Sequence, residues 1–115
     1  MARFVKELTR TDVGSMLVIP THFMNQMPQV EGGRSENMTV MDVGESEWTF
    51  GYYVRQNVNR RPVLRSGWRR YVREKELKVG DRIIFERVDG FPARYRIGAR
   101  RRITLLGRKV WADLF

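Results

Sequence analysis

The sequence has 115 residues, of which 42% are hydrophobic and 30% charged, so it is long enough and apolar enough to form one globular domain. It contains no cysteine, which excludes disulfides and thiolate-ligated metals, and no apolar run long enough to span a bilayer. Its 22 basic and 13 acidic residues give a net charge of +9, which requires an explanation.

Short strands and polar loops dominate the first half of the chain. Segments that alternate between apolar and polar residues, or that are rich in β-branched and aromatic residues, predict strands. Polar segments with glycine predict loops, and a segment bounded by prolines leaves room only for a short helix. In chain order the predicted elements are a strand at Phe4–Leu8, a loop at Thr9–Ser15, a strand at Met16–Ile19, a short helix at Thr21–Met27, a loop at Gln29–Glu36, and strands at Asn37–Val43 and Trp48–Arg55.

The strand at Trp48–Arg55 has the clearest pattern, because its aromatic and apolar residues share one face at period two. After it, Ser66 is predicted to cap a helix from Gly67 to Glu74. The apolar stripe of this helix is Trp68, Tyr71 and Val72. Further strands are predicted at Val63–Arg65, Arg82–Arg87, Tyr95–Ile97 and Ile103–Leu106. Because no strand alternates with a long helix, the pattern predicts a mostly β, barrel-like domain.

The positive charge is concentrated in two segments of the chain. Residues 48–73 contain seven arginines and no acid, and residues 90–115 contain seven basic residues and one acid. Solvated surfaces usually mix both signs, so these segments favour a polyanionic partner on one or two faces of the fold. The excess of arginine over lysine favours nucleic acid, since a guanidinium binds phosphate or guanine with two hydrogen bonds. An anionic membrane, an acidic protein and solubility alone remain alternatives.

The sequence contains no recognisable catalytic or metal-binding motif. His22 is the one histidine, and the acidic residues never occur at ligand spacing. Asp42, Glu45 and Glu47 lie together at a predicted turn, where they most simply face solvent. We therefore expect no enzyme activity, no metal and no cofactor. The catalytic alternative left open is a nuclease site built from carboxylates, which no motif in the sequence indicates.

Two predicted loops are rich in the side-chain types that can pair with DNA bases. Thr9–Ser15 is rich in hydroxyl groups, and Gln56–Arg61 mixes amides with arginines. Arginine, glutamine and asparagine pair with guanine and adenine edges in the major groove. Asn57 and Asn59 are also explained as turn residues, whereas the arginines of that loop are not. Most aromatic residues have core spacing, and Tyr53 is the best candidate for stacking on a base.

The order of five motifs resembles one family. These are FVKELTRTDV, LVIP, the strand WTFGYY, the segment VLRSGWRRYVREKELKVGDRIIFERVDG and the arginine-rich YRIGARRR. Together they resemble the plant B3 DNA-binding domain of auxin-response, abscisic-acid-insensitive and RAV-type transcription factors, from Phe4 to Arg102. The resemblance implies a seven-stranded open β-pseudobarrel with two short flanking helices. It also implies that two arms, Lys6–Ser15 and Gln56–Arg61, grip double-stranded DNA in its major groove.

The resemblance and the loop chemistry together predict the DNA-binding residues. Arg69 and the basic C-terminal segment are expected to hold the phosphate backbone rather than to read bases. The candidates are Lys6, Arg10, Thr11, Asp12, Ser15, Gln56, Asn57, Asn59, Arg60, Arg61, Arg65 and Arg69. The chain departs from relatives at Met16 and Thr21, two positions that are often occupied by basic residues in the family. It also differs from several relatives in Asn57-Val58-Asn59, and its first arm is about two residues shorter than in RAV-type members. These departures leave the target sequence open.

Residues 1–107 are expected to form the DNA-binding domain and residues 108–115 a tail that packs on the barrel. The expected function is a DNA-binding domain of a plant transcription factor that acts in the nucleus. Three alternatives remain: a non-specific DNA or chromatin module of the same fold, the recognition domain of a restriction endonuclease, and a protein-interaction domain with an acidic partner. The apolar residues of the tail would suit the last of these; they are Val110, Trp111, Leu114 and Phe115.

Overall fold

A computed structural model describes residues 1–56, 61–90 and 92–115. Strands account for most of the regular structure, with a few short helices between them. In chain order the elements are β1 (Ala2–Glu7), α1 (Arg10–Gly14), β2 (Leu17–Val18), a 3-10 helix (Thr21–Gln26), β3 (Ser35–Asp42), β4 (Glu47–Val54), β5 (Pro62–Leu64), α2 (Trp68–Glu74), β6 (Arg82–Val88), β7 (Arg94–Leu105) and β8 (Arg108–Asp113).

The strands form one sheet in the order β1-β6-β7-β3-β4-β5-β2, with β8 paired to the C-terminal half of β7. All pairs are antiparallel except β3 with β7. The sheet curls until its two edge strands, β1 and β2, lie close together. Lys6 of β1 donates a hydrogen bond to the carbonyl oxygen of Val18 in β2 across 2.7 Å. The predicted seven-stranded open pseudobarrel is confirmed, and β8 is an additional strand.

Two aromatic clusters fill the barrel. The first joins Phe4, Phe23 and Phe85, with ring centroids 4.9 to 6.1 Å apart. The second joins Phe50 of β4 to Trp68 of α2 at 5.8 Å. The inward face of β4 and the apolar stripe of α2 therefore lie where the period-two and helical patterns predict them. Such burial is the main favourable term in folding.

The segment Thr9–Ser15 is not a loop, because α1 occupies most of it. Thr9 and Asp12 form a capping box: the Thr9 hydroxyl accepts from the Asp12 backbone, and the Asp12 carboxylate accepts from the Thr9 backbone. This reciprocal pair satisfies two amide groups that a helix start leaves free. A polar Thr-x-x-Asp segment thus forms a short helix despite its glycine.

Gly67, not Ser66, occupies the N-cap position of α2. Gly67 has a φ of +79°, and a Cβ atom there would collide with the carbonyl oxygen of Thr49. The conformation and the close approach to β4 both require glycine. The predicted capping serine is therefore wrong by one residue.

The two strands predicted at Tyr95–Ile97 and Ile103–Leu106 are one strand, β7, which runs through the arginines between them. Gly98 is buried within it and faces the Val43 side chain, so it marks a close contact rather than a turn. Residues 108–115, expected as a tail, contain β8, and Leu114 and Phe115 pack against the core.

Asp42 does not face solvent as predicted, since its side chain is almost fully buried at the end of β3. It accepts hydrogen bonds from the backbone of Gly44 and Ser46 and from the Trp48 indole, 2.9 Å away. The ammonium group of Lys75 lies 3.1 Å from Oδ2, the oxygen that also accepts from Trp48. This carboxylate therefore holds the β3–β4 turn and α2 together.

Candidate nucleic-acid interface

The two predicted arms emerge at opposite ends of the ribbon formed by β2 and β5. These strands are antiparallel, with Leu17 opposite Leu64 and Val18 opposite Val63. The first arm (Lys6–Ser15) leads into the start of β2, and the second arm (Gln56–Arg61) leads into the start of β5. The ribbon therefore lies between Ser15, the last residue of the first arm, and Arg61, the last residue of the second, and forms the floor of the candidate interface.

Asp12 positions the first arm from within the protein. Its side chain is 0% exposed. One carboxylate oxygen caps α1, and the other accepts from the Lys6 ammonium at 2.8 Å and from the Val18 backbone at 3.1 Å. The buried Asp12 carboxylate therefore has both oxygens occupied and no exposed surface in this structure. These contacts position the arm, and the DNA contact predicted for Asp12 stays a prediction.

Lys6 shares this positioning role, because its side chain is only 20% exposed and donates to both Asp12 and Val18. The exposed residues of the first arm are Glu7, Thr9, Arg10, Thr11, Gly14 and Ser15. Of the predicted DNA contacts, Arg10, Thr11 and Ser15 are among them, and they lie on or next to α1, whose geometry the capping box fixes. Arg10 is the only cation among these exposed residues of the arm.

Helix α2 supports the first arm from the other side. The Trp68 indole donates to the Asp12 carbonyl oxygen across 2.6 Å, which joins the first turn of α2 to α1. Trp68 itself is fully buried. Arg69 is the next residue along α2 and is exposed. The first turn of α2 therefore presents a cation beside the first arm.

The floor of the site carries an ordered arginine. Tyr53 lies on β4, the strand next to β5 of the ribbon, and pairs with Val63 on the outer face of the sheet. The Arg65 guanidinium lies over the Tyr53 ring, 3.7 Å from its centroid. One face of Tyr53 is thus covered by Arg65, so this ring orients a cation instead of offering that face to a base.

The arginines around this ribbon lack acidic partners. Among the described residues, Arg10, Arg61, Arg65 and Arg69 are exposed and form no salt bridge. Other exposed arginines of the chain do pair with carboxylates, such as Arg70 with Glu74 at 3.0 Å. A cluster of uncompensated guanidinium groups attracts a polyanion and costs stability in its absence.

The second arm is described only at its two ends. Gln56 and Arg61 are both exposed. Arg61 precedes Pro62, the first residue of β5, whose carbonyl oxygen accepts a hydrogen bond from the backbone amide of Ile19, just after β2. The predicted contacts Asn57, Asn59 and Arg60 lie outside the described residues. Arg55 is also exposed and without a described acidic partner. It was missed at the sequence level, although it belongs to the acid-free segment.

Residues 1–56, 61–90 and 92–115 hold no group of three or more His, Cys, Asp or Glu side chains placed to bind a metal ion. No helix within those ranges is long and apolar enough to cross a membrane.

Known sequences and structures resemble this chain over most of its length. The family model described as the B3 DNA binding domain matches residues 4–103. A B3 domain-containing protein of Oryza sativa subsp. japonica is 38% identical over 108 residues, covering 86% of this chain and 38% of the rice protein. The AP2/ERF and B3 domain-containing transcription factor RAV1 of Arabidopsis thaliana is 35% identical over 107 residues, covering 88% of this chain and 31% of RAV1.

Among solved structures, the Arabidopsis FUS3–DNA complex matches with a TM-score of 0.74 and 29% sequence identity. The match covers 85% of this chain and 95% of that chain. This chain spans only 38% and 31% of the length of the two curated relatives, so the match concerns one domain of each.

Proposed function

The chain belongs to the B3 DNA-binding domain family, and we propose that it binds double-stranded DNA by gripping the major groove between its two arms. We further propose that it serves as the DNA-binding domain of a plant transcription factor, that it acts in the nucleus, and that it has no catalytic role. The observation that carries this proposal is the set of exposed, unpaired arginines at both ends and on the floor of the β2–β5 ribbon. The FUS3 domain, similar in fold and sequence, was solved with DNA.

The arms and the floor have different tasks in this mechanism. In this proposal Arg61, at the end of the second arm, and Arg10, on α1, read base edges from the two ends of the ribbon. Bidentate contacts of this kind give about 1–3 kcal/mol of discrimination for each base. Arg65 and Arg69 lie nearer the body of the domain, where contact with phosphates would fix its register without reading sequence.

Preorganisation favours binding at this site. The capping box and the buried Asp12 hold α1 in place before DNA arrives, and the Tyr53 ring contacts the Arg65 guanidinium. Ordering a flexible side chain on binding costs about 0.5–1.5 kcal/mol, and prior ordering removes much of that cost. The interface therefore meets DNA with part of its geometry already set.

The deciding experiment is selection of bound duplexes from a randomised double-stranded pool near physiological salt, followed by sequencing. A short enriched motif is expected, and its affinity should exceed that of a scrambled duplex. Retention without enrichment would instead assign the domain to non-specific DNA binding. Absence of retention would overturn the proposal and favour an acidic protein partner. The matched control is Arg3→Ala, which removes an exposed arginine near the start of β1 that pairs with Glu86 of β6.

A further inference from the structure

Strand β7 extends well beyond the barrel and carries β8 with it. The last pair between β6 and β7 is Arg82 opposite Arg100, and from Arg101 to Leu105 β7 pairs only with β8. We call residues 101–112 the β7–β8 hairpin. Its base is fixed, because the Arg101 guanidinium donates two hydrogen bonds of 2.9 Å to Asp81. The hairpin is thus a two-stranded ribbon anchored at one end.

The tip of the hairpin displays an apolar residue in a strained conformation. Leu106 has a φ of +50° and Gly107 a φ of +77°, so the two strands are joined by a two-residue turn with both residues left-handed. Leu106 is 95% exposed, and Leu105 beside it is 56% exposed. Asparagine or glycine normally occupies the first position of such a turn. A strained, solvent-exposed leucine therefore points to an interaction at the tip.

The hairpin is also cationic. No acidic residue occurs between Gly90 and Ala112 in the sequence. Arg102, Arg108 and Lys109 are exposed, and none forms a salt bridge with a carboxylate of the described residues. At the base of the outer face, the Arg82 guanidinium lies 3.8 Å from the centre of the Trp111 ring. Positive charge and an apolar tip thus occur on one projecting element.

The hairpin leaves the barrel at the same edge as the first arm. Glu7, the last residue of β1, pairs with Arg82, which in turn pairs with Arg100. The hairpin therefore begins level with the start of the first arm, two strands away in the sheet. Two strand spacings correspond to about 10 Å. DNA held by the first arm would pass close to the β7–β8 hairpin.

We propose that the β7–β8 hairpin is a third DNA-contacting element, which binds phosphates of the duplex beyond the segment held by the two arms. This inference rests on the proposed function. Arg102 and Lys109 share one face of the hairpin, because Arg102 pairs with Trp111 and Thr104 with Lys109, and they are offset by two residues, ~6.7 Å along the strand. Each DNA strand carries a phosphate per ~3.4 Å of helix axis, so these two cations match alternate phosphates. Arg108 pairs with Leu105 and lies on the other face, beside the tip. A two-stranded ribbon also fits a DNA groove, and an apolar tip packs against unstacked bases.

The test compares two duplexes that carry the same selected target, one of about 10 and one of about 24 base pairs, by fluorescence anisotropy over a salt series. The hairpin variant is Arg102→Gln with Arg108→Gln and Lys109→Gln. Its matched control is Arg3→Gln with Arg94→Gln and Arg96→Gln, which removes the same charge from exposed positions on β1 and on the first half of β7. We expect the hairpin variant to lose tenfold or more in affinity for the long duplex. Its salt slope should fall by about two to three, at about 0.9 for each lost phosphate contact.

On the short duplex the hairpin variant should match the control variant. Equal losses in both variants on the long duplex would mean that net charge alone matters, and would overturn the proposal. An unchanged hairpin variant would overturn it as well, while leaving the proposed function intact. Failure of the unmodified protein to bind either duplex would overturn both. Arg61→Gln, by contrast, should weaken binding to both lengths, because it belongs to an arm.

Discussion

Lys6 and Asp12 form an ion pair of 2.8 Å in the gap between the two edge strands of the barrel, and both side chains bind the backbone of Val18. Lys6 donates to its carbonyl oxygen, and Asp12 accepts from its amide. Two side chains thereby close an edge that backbone ladders leave open. The same pair fixes the start of the first arm, so barrel closure and arm geometry depend on one contact.

Asp12→Ala should lower the free energy of unfolding by about 3 kcal/mol, because it removes the helix cap and leaves Lys6 without its buried partner. Urea unfolding followed by tryptophan fluorescence measures this change. The matched control is Asp113→Ala, whose partner Arg100 is exposed and whose loss should cost less than about 1 kcal/mol. Equal effects of the two substitutions would contradict the positioning role of Asp12.

Arg61→Ala should relax recognition at one or two base positions of the selected motif without changing stability. Loss of one bidentate base contact corresponds to about 1–3 kcal/mol, or roughly a tenfold to hundredfold loss in affinity for the preferred duplex. A panel of single-base variants of the target measures it. Uniform weakening across the panel would show that Arg61 contacts phosphate and reads no base.

Trp68→Ala should unfold the domain or cost about 3–5 kcal/mol, as truncation of a fully buried aromatic residue does. The substitution also removes the hydrogen bond to the Asp12 carbonyl oxygen. Thermal unfolding followed by circular dichroism measures the loss. The control is Trp111→Ala, which truncates a half-buried tryptophan of the hairpin. A Trp68→Ala protein that is fully stable but no longer binds DNA would identify Trp68 as a contact.

Stability should fall in acid through Asp42. Burial alone would raise the pKa of Asp42, but hydrogen bonds from Trp48, Ser46 and Lys75 outweigh it and hold that pKa below its ordinary value. A carboxylate with a depressed pKa stabilises the fold above its unfolded pKa of about 3.9 and loses that contribution as pH falls towards its folded pKa. Urea unfolding between pH 7 and pH 3 should show this loss.

Asp42→Asn should flatten this acid dependence while lowering stability at neutral pH. Burial would also raise the pKa of Asp81, but hydrogen bonds from Arg101 and from the Lys78 backbone hold it below its ordinary value. Asp81 should therefore keep its own contribution to the acid dependence in the Asp42→Asn variant. An acid profile unchanged by Asp42→Asn would show that this carboxylate contributes no pH-dependent stability.

Leu106→Asn should raise the melting temperature, because asparagine adopts the left-handed conformation more readily than leucine does. The expected gain is about 1 kcal/mol. Differential scanning calorimetry measures it, and Leu105→Asn is the control, since Leu105 is exposed but lies in β7. A loss of stability in Leu106→Asn would mean that the leucine side chain packs within the domain.

Regular patterns were predictable wherever one face of an element is buried. The alternation in β4 and the stripe of Trp68, Tyr71 and Val72 in α2 lie as predicted, because both follow from backbone period alone. The exposed Arg10, Arg61 and Arg69 were also identified from residue chemistry and family resemblance. Their DNA contacts remain proposals.

The misplacement of two acidic residues has one cause, contacts that fall outside the helical and strand repeats. Asp12 and Asp42 read as surface acids, yet each is buried by partners the local pattern does not reveal: Val18 and Lys6 for the first, Trp48 and Lys75 for the second. A buried carboxylate is tolerated only when its oxygens are satisfied, and its partners become known only once the chain has folded.

The sequence by itself determined the β class, the inward faces, the family and the division of charge into two basic segments. Only the tertiary structure decided that the first segment lines the β2–β5 ribbon while the second lies on β7 and a projecting hairpin. Periodicity is a local property of the backbone, so sequence carries it. The placement of two charged segments depends on strand order and on pairing between distant residues, which the packing of the whole barrel sets.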